Sequence, residues 1–142
     1  MPLDPIRVTD ARAWIERARR DLGAGSHDLK ARPPYTGDAM FHAQQAVEKA
    51  LKGFLAWHDI PFRKTHDLRE LFHTAATVDP SLEAVGARAE VLSPFAWVFR
   101  YPGETEEPSI QEARAALKLA REAVKAIVAR LPDAVRKTRR PG

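Results

Sequence analysis

Hydrophobic residues recur at steps of three and four along most of this chain, and no segment alternates apolar and polar positions as a strand would. The clearest repeat lies near the carboxyl terminus, at Ile110, Ala113, Leu117, Ala120, Val124, Val128 and Leu131. Such steps are typical of an α-helix that packs one face into a bundle. Ser109 and Glu112 have the S-x-x-E spacing of a capping box, which predicts that this helix begins at Ser109.

The amino-terminal segment predicts a first helix that begins near Thr9, a residue type favoured as a helix N-cap. Gly23, Gly25 and Ser26 lower the helix propensity in the middle of this segment. The helix is expected to end at residues 32–34, Arg-Pro-Pro, because proline cannot continue the backbone hydrogen-bond ladder.

A second helix is predicted over residues 38–58, and its two faces differ in character. One face carries small residues that allow another helix to approach closely: Ala39, Ala43, Ala46, Ala50 and Gly53. The opposite stripe is polar and comprises Gln45, Glu48, Lys49 and Lys52. Because Glu48 and Lys52 are four residues apart, we expect a weak ion pair between them.

Two shorter helices and an aromatic turn complete the predicted fold. A third helix begins near Thr65 to Asp67, and a fourth begins at Asp79, its expected N-cap. Pro94 is expected to kink or restart the fourth helix, with Ser93 as the new cap. The sequence therefore predicts an all-α fold, an antiparallel four- to five-helix up-and-down bundle over residues 9–131.

Length and composition limit the classes of protein to which the chain can belong. A chain of 142 residues with 44% hydrophobic and 30% charged residues is typical of one globular, soluble domain. No apolar run approaches the roughly 20 residues of a membrane span, and the amino terminus lacks the apolar core of a secretory signal. The chain has no cysteine, which excludes disulfides and thiolate metal ligands. These features predict a cytoplasmic protein without membrane contact.

The charge of the chain is concentrated at its carboxyl end. The net charge is +4, from 23 basic and 19 acidic residues. Residues 132–142 form a basic tail that contributes +3, from Arg136, Lys137, Arg139 and Arg140 against Asp133. The rest of the chain is therefore only +1. A basic tail attracts nucleic acid through counterion release, or it is simply a solvated terminus, and the sequence leaves both interpretations open.

Three segments together carry a family resemblance: residues 46–52, AVEKALK; residues 65–68, THDL; and residues 100–102, RYP. In this order and spacing they resemble the HEPN domain, and the resemblance spans nearly all of residues 9–131. It implies an all-helical fold linked to nucleotide and RNA handling. It also implies a frequent companion, a small nucleotidyltransferase encoded beside the HEPN protein, often as a toxin–antitoxin pair.

The resemblance also raises the question of ribonuclease activity. Many HEPN proteins act as metal-independent ribonucleases through an Arg-x4-6-His motif late in the domain, in which histidine is the acid–base group and arginine stabilises phosphate charge. Arg100 stands about where that arginine is expected, but no histidine follows it, since the last one is His73. The match Arg20-x6-His27 lies far from the expected position, in the first helix, and we interpret it as chance.

Six residues are the candidates for ligand binding: Lys49, Lys52, His66, Asp67, Arg100 and Tyr101. The two lysines share a helix face and could line an anion groove with Arg100, and Arg100-Tyr101 could bind a nucleotide by charge and stacking. Each has a structural alternative. The lysines could be ordinary solvated side chains, and His66 and Asp67 could serve a helix amino terminus. Arg-Tyr before Pro-Gly is also a natural way to close a helix and anchor a loop.

No metal or cofactor is expected. Glu70-x-x-His73 has the ligand spacing of helical di-iron sites, but such sites need a second motif of this kind and two further glutamates. The chain also lacks a glycine-rich phosphate loop and a nucleophile elbow.

A homodimer is the expected assembly. The small-residue face of the second helix and the aromatic cluster Phe95, Trp97 and Phe99 offer surfaces for a two-fold contact. Three functions remain open: a noncatalytic nucleotide- or RNA-binding module, an interaction scaffold that binds no nucleotide, and a ribonuclease toxin. The toxin would use a displaced catalytic set drawn from Arg100, His66 and Lys52.

Overall fold

A computed structural model describes residues 3–103 and 106–137, which form a helical bundle without strands. The helices are α1 (Pro5–Lys30), α2 (Thr36–Trp57), α3 (Leu68–Ala76), α4 (Leu82–Ala89), a 3-10 helix (Glu90–Ala96), α5 (Ile110–Val128) and α6 (Asp133–Arg136). The all-α bundle is thus confirmed. In these two ranges, no helix combines the length and the apolar character that crossing a bilayer requires.

Helix α2 is the centre of the bundle. It packs against α1, α5, α3 and the 3-10 helix, and 16 of its 22 residues are buried. Burial on this scale leaves almost no solvent-facing side. The predicted polar stripe is therefore an interior feature, because Gln45, Glu48 and Lys52 are buried with the apolar residues.

The small-residue face of α2 is used inside the chain. Ala39, Ala43, Ala46 and Ala50 are fully buried. At Gly53 a Cβ atom would lie 2.9 Å from Ile15 Cδ1 and 3.3 Å from the Ala11 carbonyl oxygen, so α1 crosses α2 too closely there for a larger residue. The expectation that this face is a surface for a second copy is therefore wrong, because helices of the same chain already cover it.

Helix α1 is longer and more regular than its sequence predicts. It begins at Pro5, where the Asp4 side chain accepts a hydrogen bond from the Ile6 N–H at 2.9 Å, so Asp4 is the N-cap instead of Thr9. Gly25 does not interrupt the helix. A Cβ there would lie 2.9 Å from Leu117 Cδ1, so close packing against α5 explains the glycine. Packing of this kind offsets the roughly 1 kcal/mol that glycine costs in a helix.

The start of α3 is held by two side chains. Asp67 Oδ1 accepts from the Arg69 N–H at 3.0 Å, which confirms Asp67 as an N-cap. Ser93 Oγ accepts from the Leu68 N–H at 2.7 Å. The sequence predicts Ser93 as the cap of a restarted fourth helix, but it lies inside the 3-10 helix and caps α3 instead. The 3-10 helix continues through Pro94 without a new helix start.

The fourth helix begins later than expected. Asp79 accepts hydrogen bonds from the N–H and the hydroxyl of Ser81, at 3.1 and 2.5 Å. This local turn occupies the residues predicted as the first turn of the helix, and α4 begins at Leu82.

The carboxyl-terminal helix follows its predicted start, and packing continues beyond it. The capping box of Ser109 and Glu112 is confirmed, with both reciprocal hydrogen bonds formed. After α5, the short helix α6 buries Val135 in the core, and Arg19 donates a hydrogen bond to the Arg136 carbonyl oxygen at 2.5 Å. The first part of the predicted tail is thus packed on α1, whereas residues 138–142, with Arg139 and Arg140, lie outside the described residues.

Candidate functional site

A buried hydrogen-bond network on α2 contains two of the predicted site residues. Its centre is Glu48, which is only 3% exposed. Glu48 Oε2 accepts from Lys52 Nζ at 3.1 Å, and Oε1 accepts from His66 Nδ1 at 2.7 Å. Lys52 and His66 therefore meet at one carboxylate. The predicted pair of Glu48 and Lys52 is confirmed, but it lies in the interior and not on the helix surface.

Two glutamines complete this network. Gln44 Nε2 donates to the His66 carbonyl oxygen at 2.9 Å and to Glu48 Oε1 at 3.3 Å. Gln45 Nε2 donates to Gln44 Oε1 at 2.7 Å. The network thus ties α2 to the segment that leads into α3. Neither glutamine is among the predicted site residues, although Gln44, Glu48 and Lys52 recur every four residues and so share one side of the helix.

Lys52 is held on its other side by aromatic rings. Its ammonium nitrogen lies 5.7 Å from the ring centroid of Trp14 and 5.9 Å from that of Phe62, and the two rings meet edge to face at 6.1 Å. Cation–π contacts of this kind stabilise a desolvated ammonium group. Lys52 is therefore neither a solvated lysine nor an open anion ligand, since its charge is balanced inside the chain.

His66 is the exposed member of the network. About 65% of its side chain is accessible, whereas the carboxylate that it contacts is buried. Because the Glu48 carboxylate is the acceptor, Nδ1–H is the donor in this contact, and Nε2 is left for another partner. A carboxylate that orients an imidazole in this way sets the tautomer and the direction of the ring. His66 can therefore accept a hydrogen bond or a proton from a bound molecule.

Lys49 belongs to a different cluster. Its Nζ lies 2.6 Å from Asp21 Oδ2, and His42 Nδ1 lies 3.1 Å from Asp21 Oδ1. His42 Nε2 lies 3.7 Å from Asp28 Oδ2. The two lysines expected to line one groove therefore pair with separate carboxylates, Lys49 with Asp21 and Lys52 with Glu48.

The groups of this second cluster shift the pKa values of one another. Burial acts to raise the pKa of Asp21, but hydrogen bonds from His42 and Lys49 outweigh it and lower that pKa below its usual value. The hydrogen bond to Asp21 raises the pKa of His42, against the opposing effect of burial. Burial raises the pKa of Asp28. These shifts favour an imidazolium and a carboxylate in contact, which pins α1 to α2.

Arg100 and Tyr101 lie at the end of the aromatic segment. The guanidinium carbon of Arg100 is 4.0 Å from the ring centroid of Phe41, and Arg100 is exposed. Phe99 has a φ of 71°, an uncommon value for an aromatic residue, and its ring stacks on Phe95 at 6.0 Å. The chain therefore turns sharply before Arg100, and Tyr101 follows with 69% of its surface exposed.

The loop after this turn is anchored to the start of α2. Glu107 Oε2 accepts from the Gly37 N–H at 3.1 Å and from the Thr36 hydroxyl at 3.3 Å. A Cβ on Gly37 would lie 2.9 Å from Glu107 Oε2 and 3.0 Å from Phe99 Cβ, so only glycine fits without displacement. This packing places the Arg100 turn beside the first turns of α2.

Two of the six candidate residues, Arg100 and His66, contact the same side of helix α2. Phe41, Glu48 and Lys52 lie on one side of the helix, and Phe41 and Glu48 are separated by about 10 Å along its axis. Arg100 contacts the first of these, and His66 contacts the second. Arg100, Tyr101 and His66 are exposed, whereas the other three candidates are occupied by an ion pair with Asp21, by the Glu48 network and by the cap of α3.

Glu70, which has the spacing E-x-x-H with His73, is bound by an arginine. Arg63 binds both carboxylate oxygens of Glu70, at 2.7 and 2.8 Å. In residues 3–103 and 106–137, no three histidine, aspartate or glutamate side chains are grouped as metal ligands.

The family model described as HEPN domain matches residues 11–131, which is most of the chain. Neither the curated proteins nor the solved structures contain a match to the chain. The matched range runs from the buried Ala11 of α1 to the buried Leu131 after α5, and so covers the whole core around α2 apart from α6. The chain therefore belongs to the HEPN domain family.

Proposed function

We propose that this HEPN protein is a noncatalytic module that binds a nucleotide or RNA at the Arg100 edge, defined as Arg100, Tyr101 and His66. The observation that carries the proposal is the exposed Arg100 guanidinium resting 4.0 Å above Phe41. The ring supports one face of the guanidinium. Within residues 3–103 and 106–137, no carboxylate forms an ion pair with it, so its planar donors can bind a phosphate in bidentate fashion.

The two neighbours of Arg100 supply different contacts. Tyr101 offers an exposed ring on which a base can stack. His66 offers an outward imidazole nitrogen about two helical turns along α2. Charge and stacking are the elements from which sequence-tolerant nucleotide sites are built, and His66 adds one hydrogen-bonding group.

The segment after Arg100 supports a noncatalytic role. An Arg-x4-6-His motif would place histidine at one of positions 105 to 107, where this chain has Thr105, Glu106 and Glu107. The Glu107 carboxylate is already bound to the start of α2. Without an imidazole in this position, the acid–base step of the family's route lacks its proton carrier.

Removal of the Arg100 side chain tests this site. We expect Arg100→Ala to weaken binding of a labelled RNA oligonucleotide about tenfold or more, because a charged hydrogen bond contributes about 1.5–3 kcal/mol. The salt dependence of the remaining binding should also become less steep. Fluorescence anisotropy at several salt concentrations measures both effects. Arg17→Ala, an exposed arginine of α1, is the matched control.

Binding by the basic carboxyl terminus is the alternative to binding at the Arg100 edge. Removal of residues 138–142 leaves Val135 and its packing in place, unlike a truncation at residue 133. If this truncation abolishes binding while Arg100→Ala leaves it intact, the terminus is the nucleic-acid determinant and the Arg100 edge is not a site.

A ribonuclease is the second candidate function, and the contact between His66 and Glu48 favours it. An exposed imidazole oriented by a buried carboxylate at 2.7 Å has the arrangement of a general base, with Arg100 as the phosphate ligand. Incubation of the same RNA with the protein and a chelator separates the two functions. Cleavage that is lost in both His66→Ala and Arg100→Ala would replace the binding module with the enzyme.

We also propose that the protein works as a cytoplasmic homodimer, with a small nucleotidyltransferase as its companion in a toxin–antitoxin pair. Because the small face of α2 is internal, the contact is assigned to the exposed Val91 and Trp97 beside Phe95 and Phe99. Light scattering at micromolar concentration should report about twice the chain mass of 15.9 kDa. A monomeric wild type would contradict the dimer, and a Trp97→Ser variant that stays fully dimeric would contradict this contact.

A further inference from the structure

A groove runs between α1 and α5, and none of its lining residues belongs to the Arg100 edge. It consists of two adjoining hollows of about 270 and 410 Å³, and both are lined by Arg121. On α5 the lining extends from Arg114 to Val128, which is about 21 Å along the helix axis. We call this feature the α1–α5 groove. Its length corresponds to about four turns of a helix lying beside it.

The charged residues that line the α1–α5 groove are all basic. They are Arg19, Lys30, Arg114, Arg121, Lys125 and Arg136. Among the described residues, no aspartate or glutamate lines either hollow. Arg136 pairs with Asp133, and Arg19 donates a hydrogen bond to the Arg136 carbonyl oxygen. The other four cations, Lys30, Arg114, Arg121 and Lys125, form no ion pair within the described parts of the chain. A chain whose net charge is only +4 thus concentrates unpaired positive charge on one seam.

The floor between these cations is aliphatic. It is formed by Leu22 and Leu29 from α1 and by Leu117, Val124 and Val128 from α5. In the part of the chain that the structure describes, no aromatic side chain lines the groove, so it offers no platform on which bases could stack. An aliphatic floor instead favours an occupant that buries apolar side chains of its own.

We propose that the α1–α5 groove binds an acidic amphipathic helix of a partner protein. The apolar stripe of that helix would pack on the leucines and valines, and its flanking carboxylates would pair with the basic rims. This is the helix-in-groove mode of recognition, with anchors at steps of three and four. The charge complementarity selects an acidic helix over a basic one, and the aliphatic floor selects a helix over a nucleic-acid strand.

The proposal is tested with a synthetic peptide of about 16 residues, the length of four to five helical turns. The peptide carries leucines at steps of three and four between flanking glutamates, and it is labelled for fluorescence anisotropy. Two control peptides are required: a scrambled sequence of the same composition, and a version with lysine in place of glutamate. The wild-type protein should bind the acidic amphipathic peptide at least about tenfold more tightly than either control peptide, a difference of about 1.4 kcal/mol.

Matched variants distinguish the loss of groove contacts from the effect of a changed net charge. Arg121→Glu with Lys125→Glu removes two rim cations, and Arg17→Glu with Arg20→Glu makes the same change of charge on the exposed side of α1. The groove variant should lose at least about tenfold in affinity for the acidic peptide and should bind the lysine peptide instead. The α1 control and Arg100→Ala should both retain wild-type affinity, so the outcome is independent of the proposed nucleotide site. Circular dichroism confirms that each variant is folded.

Three results would overturn the proposal. The first is an acidic peptide that shows no binding up to about millimolar concentration, the range in which binding contributes only about 4 kcal/mol. The second is equal loss in both double variants, which would reduce the effect to long-range charge. The third concerns the aliphatic floor. Because Val128 is a half-buried residue of the floor, Val128→Ala should weaken peptide binding. If it has no effect while an RNA oligonucleotide displaces the peptide, the groove is a phosphate-binding surface instead.

Discussion

Replacement of Glu48 with alanine is expected to lower the free energy of unfolding by about 3–5 kcal/mol, the cost of leaving one partner of a buried ion pair without the other. Glu48 is the shared acceptor for Lys52, His66 and Gln44. Without it, the nearly buried ammonium group of Lys52 keeps only the rings of Trp14 and Phe62. Denaturant unfolding at one fixed protein concentration measures the change.

The variants around Glu48 distinguish a lost ion pair from a lost side chain. Glu16→Ala removes an exposed glutamate of α1 and should change stability by less than about 0.5 kcal/mol. Glu48→Leu should be strongly destabilising, and a further Lys52→Met should recover part of the loss, because it removes the charge that has no partner. If Lys52→Met adds to the damage as an independent change would, the network is not the source of the stability.

Replacement of Leu117 with alanine is expected to lower the free energy of unfolding by about 2–5 kcal/mol, the range for a leucine in a core that relaxes only partly. Leu117 lies in the middle of the apolar face of α5 and is 2% exposed. Its Cδ1 atom occupies the space in which a Cβ on Gly25 would lie, at 2.9 Å. Shortening the side chain therefore opens a cavity between α1 and α5.

The contact with Gly25 provides an internal check. Gly25→Ala in the Leu117→Ala background should restore stability, because the new methyl enters the vacated space and alanine favours the helix by about 1 kcal/mol. In the wild-type background, the same Gly25→Ala change should raise stability by less, because the new methyl group meets the Leu117 side chain. Lys118→Ala, on the exposed neighbour, controls for the helix itself. A loss below about 0.5 kcal/mol in Leu117→Ala would show that this face of α5 is not a core face.

Local chemistry made several features of this protein predictable. The three- and four-residue steps of α5 fix its buried face, and the capping box begins the helix at its predicted residue. Asp67 is predictable as a cap because an aspartate before an apolar run can accept the free N–H groups of a first helical turn. In each case the interacting groups are within four residues of each other, so the chain sequence alone specifies their geometry.

The candidate site was less predictable because its residues are distant in sequence. Glu48 and Lys52 have the spacing of a surface pair. Nothing local reveals that α1 brings Trp14 over Lys52 or that the segment leading into α3 brings His66 to Glu48. The sequence suggests that Lys49 and Lys52 act together, yet a three-residue step rotates them toward different neighbours. The sequence named Arg100 and Tyr101 as a pair but did not indicate Phe41 beneath the guanidinium.

The helical periodicity, the caps at Asp67 and Ser109 and the family were therefore contained in the sequence, because each depends on short-range patterns or on segments that occur in a recognisable order. The features that the sequence did not predict were decided by how the other helices pack around α2. It turned a polar stripe into a buried network, closed the small-residue face, and aligned α1 with α5 so that cations from both helices face one aliphatic groove. Burial and charge environment are properties of the assembled helices, since each surface becomes interior or exposed only when its neighbour is in place.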